Sequence, residues 1–115
     1  MTERRKFMRF NVLLDVLHTA LDNTVSKVES HSKDISKDGV RLSGDRPVPK
    51  GSTIELEMKI PGDNVPIIAA GEIAWTSNSE EAKYDYGVRF TKIENYDRAR
   101  LLGYVYNEWI KTKKS

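Results

Sequence analysis

The sequence contains no cysteine, so neither a disulfide framework nor a thiolate metal centre is available, and the reducing cytoplasm is the expected compartment. Histidine is almost as scarce. His18 and His31 lie far apart without metal-ligand spacing, and each reads as an ordinary polar strand residue. A nucleophile elbow, a phosphate-loop glycine pattern and a His-x-x-x-His pair are all missing. The expectation is a protein that is not an enzyme and holds no metal or cofactor. Long hydrophobic runs are missing too. The most apolar stretch, "NVLLDVLHTAL" from Asn11, is interrupted by Asp15 and His18, which leaves neither a signal peptide nor a membrane span to be read. Charge of one sign is also lacking: 19 basic and 17 acidic residues give a net charge of +2, too little to bind a polyanion by charge alone.

What is present is enough chain for one domain with a real core, 115 residues in all. Periodicity reads as six strands. The first runs from Arg9 to about Ala20, and a mostly exposed second spans Asn23 to Ser36. "GVRLSG" follows after Asp38-Gly39, a pair suited to a tight hairpin in which Gly39 would supply a positive φ. Beyond the proline loop "DRPVPKG", "STIELEMKIPG" alternates Ile54, Leu56, Met58 and Ile60 against Glu55, Glu57 and Lys59, as a half-buried strand does. "VPIIAAGEIAWTS" is the fifth strand, with Gly71 marking a bulge or bend. The polar connection "NSEEA" and the sixth strand, "KYDYGVRFTKI", come next. The period then changes. From Asn95, a candidate N-cap, Leu101, Leu102, Val105, Trp109 and Ile110 recur at helical spacing. Lys111, Lys113 and Lys114 suit the negative end of that helix dipole. The predicted fold is all-β with one helix, a six-stranded antiparallel β-barrel followed by a C-terminal α-helix.

Two constellations remain. "ERRKFMRF" from Glu3 concentrates basic residues at the amino terminus, and Arg5 and Arg9, four apart, share a side whether the segment is extended or turned. At roughly 13 Å when extended and about half that in a turn, they could converge on one nucleotide-sized ligand. Arginine meets phosphate and the guanine O6/N7 edge bidentately and stacks on bases. In "DISKDG", Asp34 and Ser36 share one strand face while Ile35 points into the barrel. A carboxylate matches the two donors of the guanine Watson–Crick edge, although an Asx-turn would also account for Asp34.

Arg5-x-x-x-Arg9 ahead of the first strand and Asp34-x-Ser36-x-x-Gly39 across the second hairpin together resemble the PilZ domain, the bacterial receptor module for cyclic di-GMP. The resemblance extends along the chain through "STIELEMKIPG", "GEIAW" and "YGVRF". It implies the same barrel and helix. It also implies that Arg5 and Arg9 clasp phosphates and guanines, that Asp34 takes a guanine edge, that Ser36 supports the site and that Gly39 shapes the turn. Arg4 would favour a stacked pair of ligands. Trp75 aligns with an aromatic near the ligand in some members, while a core or rim tryptophan is an equally good account of it.

The resemblance divides the chain into a flexible basic segment, residues 1–9, and a barrel with helix, residues 10–112. Cyclic di-GMP would order that segment and so alter the binding of an output protein, with the receptor monomeric or assembling on ligand binding. No membrane and no nucleic-acid polymer is expected as a partner. Two alternatives stand beside this reading: a ligand-independent interaction module of the same fold, and a barrel that binds single-stranded nucleic acid. Against the latter, Trp75, Tyr84 and Tyr86 are not interleaved with basic residues.

Overall fold

A computed structural model describes residues 8–20, 28–80 and 83–114. Strands β1 (Asp15–Ala20), β2 (Val28–Ile35), β3 (Gly39–Gly44), β4 (Thr53–Lys59), β5 (Ile67–Glu80) and β6 (Lys83–Ile93) precede one helix, α1 (Asn95–Lys114). All neighbouring strands are antiparallel, and they close in the order β1-β2-β3-β6-β5-β4. This is the barrel and helix that the hydrophobic periods predict.

Strand β4 shows how directly alternation becomes packing. Ile54, Leu56 and Met58 are buried on the inside, while Thr53, Glu55 and Lys59 face out. Leu14, Val16, Ile35, Val40, Leu42, Ile73 and Tyr86 fill the same interior, and Leu101 and Val105 of α1 join that cluster. Each such side chain contributes about 1.5–3 kcal/mol by leaving water. Arg100 fastens the first half of α1 to the β4–β5 loop, donating to Asp97 (2.9 Å), Asp63 (2.8 Å) and the Val65 carbonyl (2.5 Å).

Several sequence expectations shift. The first strand is shorter than predicted, because ladder pairing with β2 and β4 begins only at Asp15. Ahead of it Ser32 replaces the ladder, donating its hydroxyl to the Val12 carbonyl (2.6 Å) and accepting from Leu14 N–H (2.7 Å). The polar stretch from Asn78 to Glu80 continues β5, paired with Tyr84 and Lys83, rather than forming a connection. The first helical bond of α1 runs from Arg98 N–H to the Glu94 carbonyl, so Glu94, not Asn95, holds the cap position.

Gly39 opens β3 instead of sitting inside the turn, and the glycines with positive φ are Gly51 and Gly62. His18 is a strand residue of β1, as expected, and it lies inside the barrel, 3% exposed, edge-on to Tyr86 and within 3.2 Å of Ser30 Oγ.

Candidate functional site

Two β-bulges decide which side chains reach the outer wall. On β2, Ser30 and Ser32 face the interior opposite Val16 and Leu42, and strict alternation would send Asp34 inward with them. The register shifts between Ser32 and Asp34, leaving Lys33 as the extra residue. Ile35 then pairs with Val40 in the core, and Asp34 pairs with Arg41 outside. On β5 a second shift between Ile73 and Trp75 has the same effect. Ile73 stays inside opposite Val88, Ala74 is the extra residue, and Trp75 comes out opposite Gly87.

The chain ahead of β1 crosses the end of β2. Phe10 and Ile35 exchange both backbone hydrogen bonds (2.8 and 2.9 Å) and form an isolated bridge. This step separates the neighbouring side chains Arg9 and Phe10. The Phe10 ring packs edge-on against Tyr106 and Trp109 of α1, with centroids 6.3 and 5.5 Å away. Arg9 turns instead toward the β2–β3 turn. Its Nε–H donates to Asp34 Oδ1 at 2.6 Å, and its Nη1 donates to Ser36 Oγ at 3.2 Å. The second oxygen of Asp34 lies 2.9 Å from Arg41 Nε. That N–H is not aimed along the contact and makes no directed hydrogen bond, so the pair acts chiefly through charge.

Ser36 organises the turn. Its hydroxyl donates to the Asp38 carboxylate, its N–H donates to the Gly39 carbonyl (2.9 Å), and Asp38 N–H donates back to Ser36 Oγ (3.3 Å). Asp34 and Ser36 do lie together on the outer wall, as expected, but they are covered: Asp34 is 7% exposed and Ser36 is fully buried beneath Arg9 and the turn. Gly39 has a packing reason to be glycine. A Cβ there would fall onto the Val88 carbonyl oxygen of β6.

These residues border an open concavity of about 480 Å³. Arg9, Asp34, Asp38 and Arg41 form one side and Trp75, Gly87 and Arg89 the other. Three arginines and two aspartates line the wall, and Arg89 is also paired with Glu72 (2.9 Å). Trp75 is 41% exposed and stands on this wall, outside the core. A Cβ on Gly87 would overlap the Trp75 indole, which shows how closely the ring covers that backbone.

The structure thus brings together Arg9, Asp34, Ser36, Gly39 and Trp75. Arg4 and Arg5, with most of the segment 1–9, lie outside the described residues. Met8 is 64% exposed. Arg41 and Arg89 were not singled out by sequence, since a lone arginine on a strand carries no signal until the register places it. Among the described residues no cluster of acidic or histidine side chains could hold a metal ion, and no helix is long and apolar enough to cross a membrane.

Similarity to known proteins agrees with this fold. None of the curated proteins matches the sequence. Among solved structures, the Bacillus subtilis inhibitor of motility (MotI/DgrA) superposes with a TM-score of 0.78 at 17% identity, over 96% of this chain and 53% of that one. This chain therefore spans about half of that relative. The PilZ domain of YcgR from Escherichia coli, solved with cyclic di-GMP, gives 0.75 at 13% identity, over 97% and 96% of the two chains. Whole YcgR from the same organism, also in complex with cyclic di-GMP, gives 0.74 at 17% identity, over 97% of this chain and 49% of that one. At such identities the superpositions speak for the fold. The family model for the PilZ domain matches residues 3–107, nearly the whole chain, and the protein is accordingly a member of the PilZ domain family.

Proposed function

We propose that this protein is a cyclic di-GMP receptor that binds the dinucleotide between the Arg5-x-x-x-Arg9 segment and the wall formed by Asp34, Ser36 and Trp75. The observation that carries the reading is the convergence of Arg9, Asp34 and Ser36, from two chain segments 25 and 27 residues apart, with Arg9 and Asp34 lining one open concavity. The structural neighbours YcgR and its isolated PilZ domain were solved with this ligand, which supports the choice of ligand class.

Binding is an exchange. In the free arrangement Arg9 is already committed to Asp34, so the ligand replaces an internal ion pair with two contacts: phosphate on Arg9 and a guanine edge on Asp34. Arg4 and Arg5 close over the ligand from the amino-terminal side, with Arg4 favouring a stacked pair. Segment 1–9, held on the barrel by the ligand, then presents a new surface to an output protein in the cytoplasm, or to a second copy of the receptor. No step of this scheme involves bond making, which makes the protein a receptor rather than an enzyme.

Calorimetric titration with cyclic di-GMP tests the reading and reports stoichiometry. Wild-type protein should bind, and Arg5→Ala, Arg9→Ala and Asp34→Ala should each lose more than about 1.5 kcal/mol, the scale of a hydrogen bond to a charged group. One observation favours the ligand-independent reading, namely that Asp34 is already satisfied by two arginines. Wild-type protein that gives no binding heat and no shift in melting temperature with the dinucleotide would establish that alternative instead.

A further inference from the structure

Arg41 lies in neither motif, yet the β2 bulge sets it directly opposite Asp34 in the β2–β3 ladder. Its Nε is 2.9 Å from Asp34 Oδ2, while Arg9 holds Oδ1. The two arginines differ in how they are anchored. Arg9 lies ahead of β1 beside the isolated Phe10–Ile35 bridge, outside any strand ladder. Arg41 sits in the middle of β3, paired with β2 on one side and with Gly87 of β6 on the other. Among the described residues the neighbouring acids are already engaged, Glu72 with Arg89 and Asp85 with Lys33, and Arg41 pairs with no acid but Asp34.

The reading of the site given above makes Arg9 leave Asp34 for the ligand. The Asp34 side chain is only 11% exposed, and a carboxylate that far from water is costly to leave without a cation. Arg41 is the cation that stays. Each carboxylate oxygen can accept more than one hydrogen bond, so Oδ2 can face Arg41 and still accept from guanine. We propose that Arg41 is a positioning residue, which keeps the Asp34 carboxylate paired and fixed in rotation once Arg9 has moved to the ligand, and in this way sets the preference of the site for guanine. The ligand phosphates are left to Arg5 and Arg9.

The test compares cyclic di-GMP with cyclic di-inosine monophosphate, which lacks the 2-amino group that Asp34 would read. Wild-type protein should prefer the guanine ligand by at least about tenfold, the value of one hydrogen bond to a charged acceptor. Arg41→Gln should reduce that preference to about threefold or less, with a smaller loss of affinity for the inosine ligand, which keeps the N1–H donor. Arg41→Lys, which restores the charge, should recover much of the discrimination, and Arg41→Met serves in place of the glutamine variant if that one fails to fold by circular dichroism. Equal loss of affinity for both ligands in Arg41→Gln would make Arg41 a simple phosphate contact, and unchanged affinity for both would remove it from the site; both overturn the proposal. A wild type that binds both ligands equally overturns the base-reading role but not the receptor function, whereas a wild type that binds neither overturns the receptor function itself.

Discussion

The Trp75 indole covers Gly87 so closely that a single carbon added to that glycine would overlap the ring. The pair faces outward across the β5–β6 ladder, opposite the Arg9–Asp34 ion pair on the other side of the concavity. Gly87→Ala should therefore push the indole aside without opening the core, because Trp75 is a partly exposed side chain that has room to swing. Stability is expected to change by no more than about 1 kcal/mol. Affinity for cyclic di-GMP should fall about tenfold, the scale of one lost base–aromatic contact. In a Trp109→Phe background, tryptophan emission reports the displacement and calorimetry the affinity; a displaced indole with unchanged affinity would take Trp75 out of the site.

At Gly39 the obstacle is backbone. The added carbon of Gly39→Ala meets the Val88 carbonyl of β6, and no side-chain rotation relieves the contact. The start of the β3–β6 ladder and the Phe90 N–H bond to the Asp38 carbonyl (2.9 Å) must shift together. A loss of about 3 kcal/mol is expected, measured as a lower urea midpoint, with ligand affinity falling in the same variant because Asp38 and Ser36 move with the turn.

Phe10 ties the site to the helix. Its ring contacts Tyr106 and Trp109, and its backbone fixes the position from which Arg9 reaches Asp34. Phe10→Ala should cost about 2 kcal/mol of stability and weaken cyclic di-GMP binding although no ligand contact is removed. Full retention of affinity would show that Arg9 is placed by its own ion pair with Asp34 and not by Phe10.

His18 gives the barrel a pH dependence. Burial lowers its pKa below the ordinary value of 6.5, so the unfolded chain takes up a proton more readily than the folded one. Stability from this group is complete above about pH 6.5 and declines as pH falls below it, by at most about 1.4 kcal/mol per pH unit. The urea midpoint should drop between pH 7.5 and 5.5, and His18→Gln should flatten that part of the profile. An equal drop in the variant would assign the effect to other groups.

Much of this protein can be read from periods and spacing. The alternation of Ile54, Leu56 and Met58, and the change of period after Ile93, are enough to give strands closing over a core and a terminal helix, because burial of one face depends only on which residues recur. The two motif spacings likewise single out Arg9, Asp34, Ser36 and Gly39. Other features depend on contacts between distant segments. The interior of β2 is lined by Ser30 and Ser32, which no hydrophobic count detects, and Gly39 needs the space taken by β6 rather than a positive φ.

The outward turn of Asp34 and Trp75 is likewise a tertiary result. Each depends on one extra residue, Lys33 or Ala74, that strand pairing leaves unmatched, and each shift moves the following side chains to the opposite face. The same holds for Arg41, which is an unremarked strand residue until the shifted register sets it against Asp34. Sequence by itself determined the strands, the terminal helix and the spacing of Arg9, Asp34, Ser36 and Gly39. Tertiary structure decided which of them face the same concavity, because register is a property of two strands and is written in neither alone.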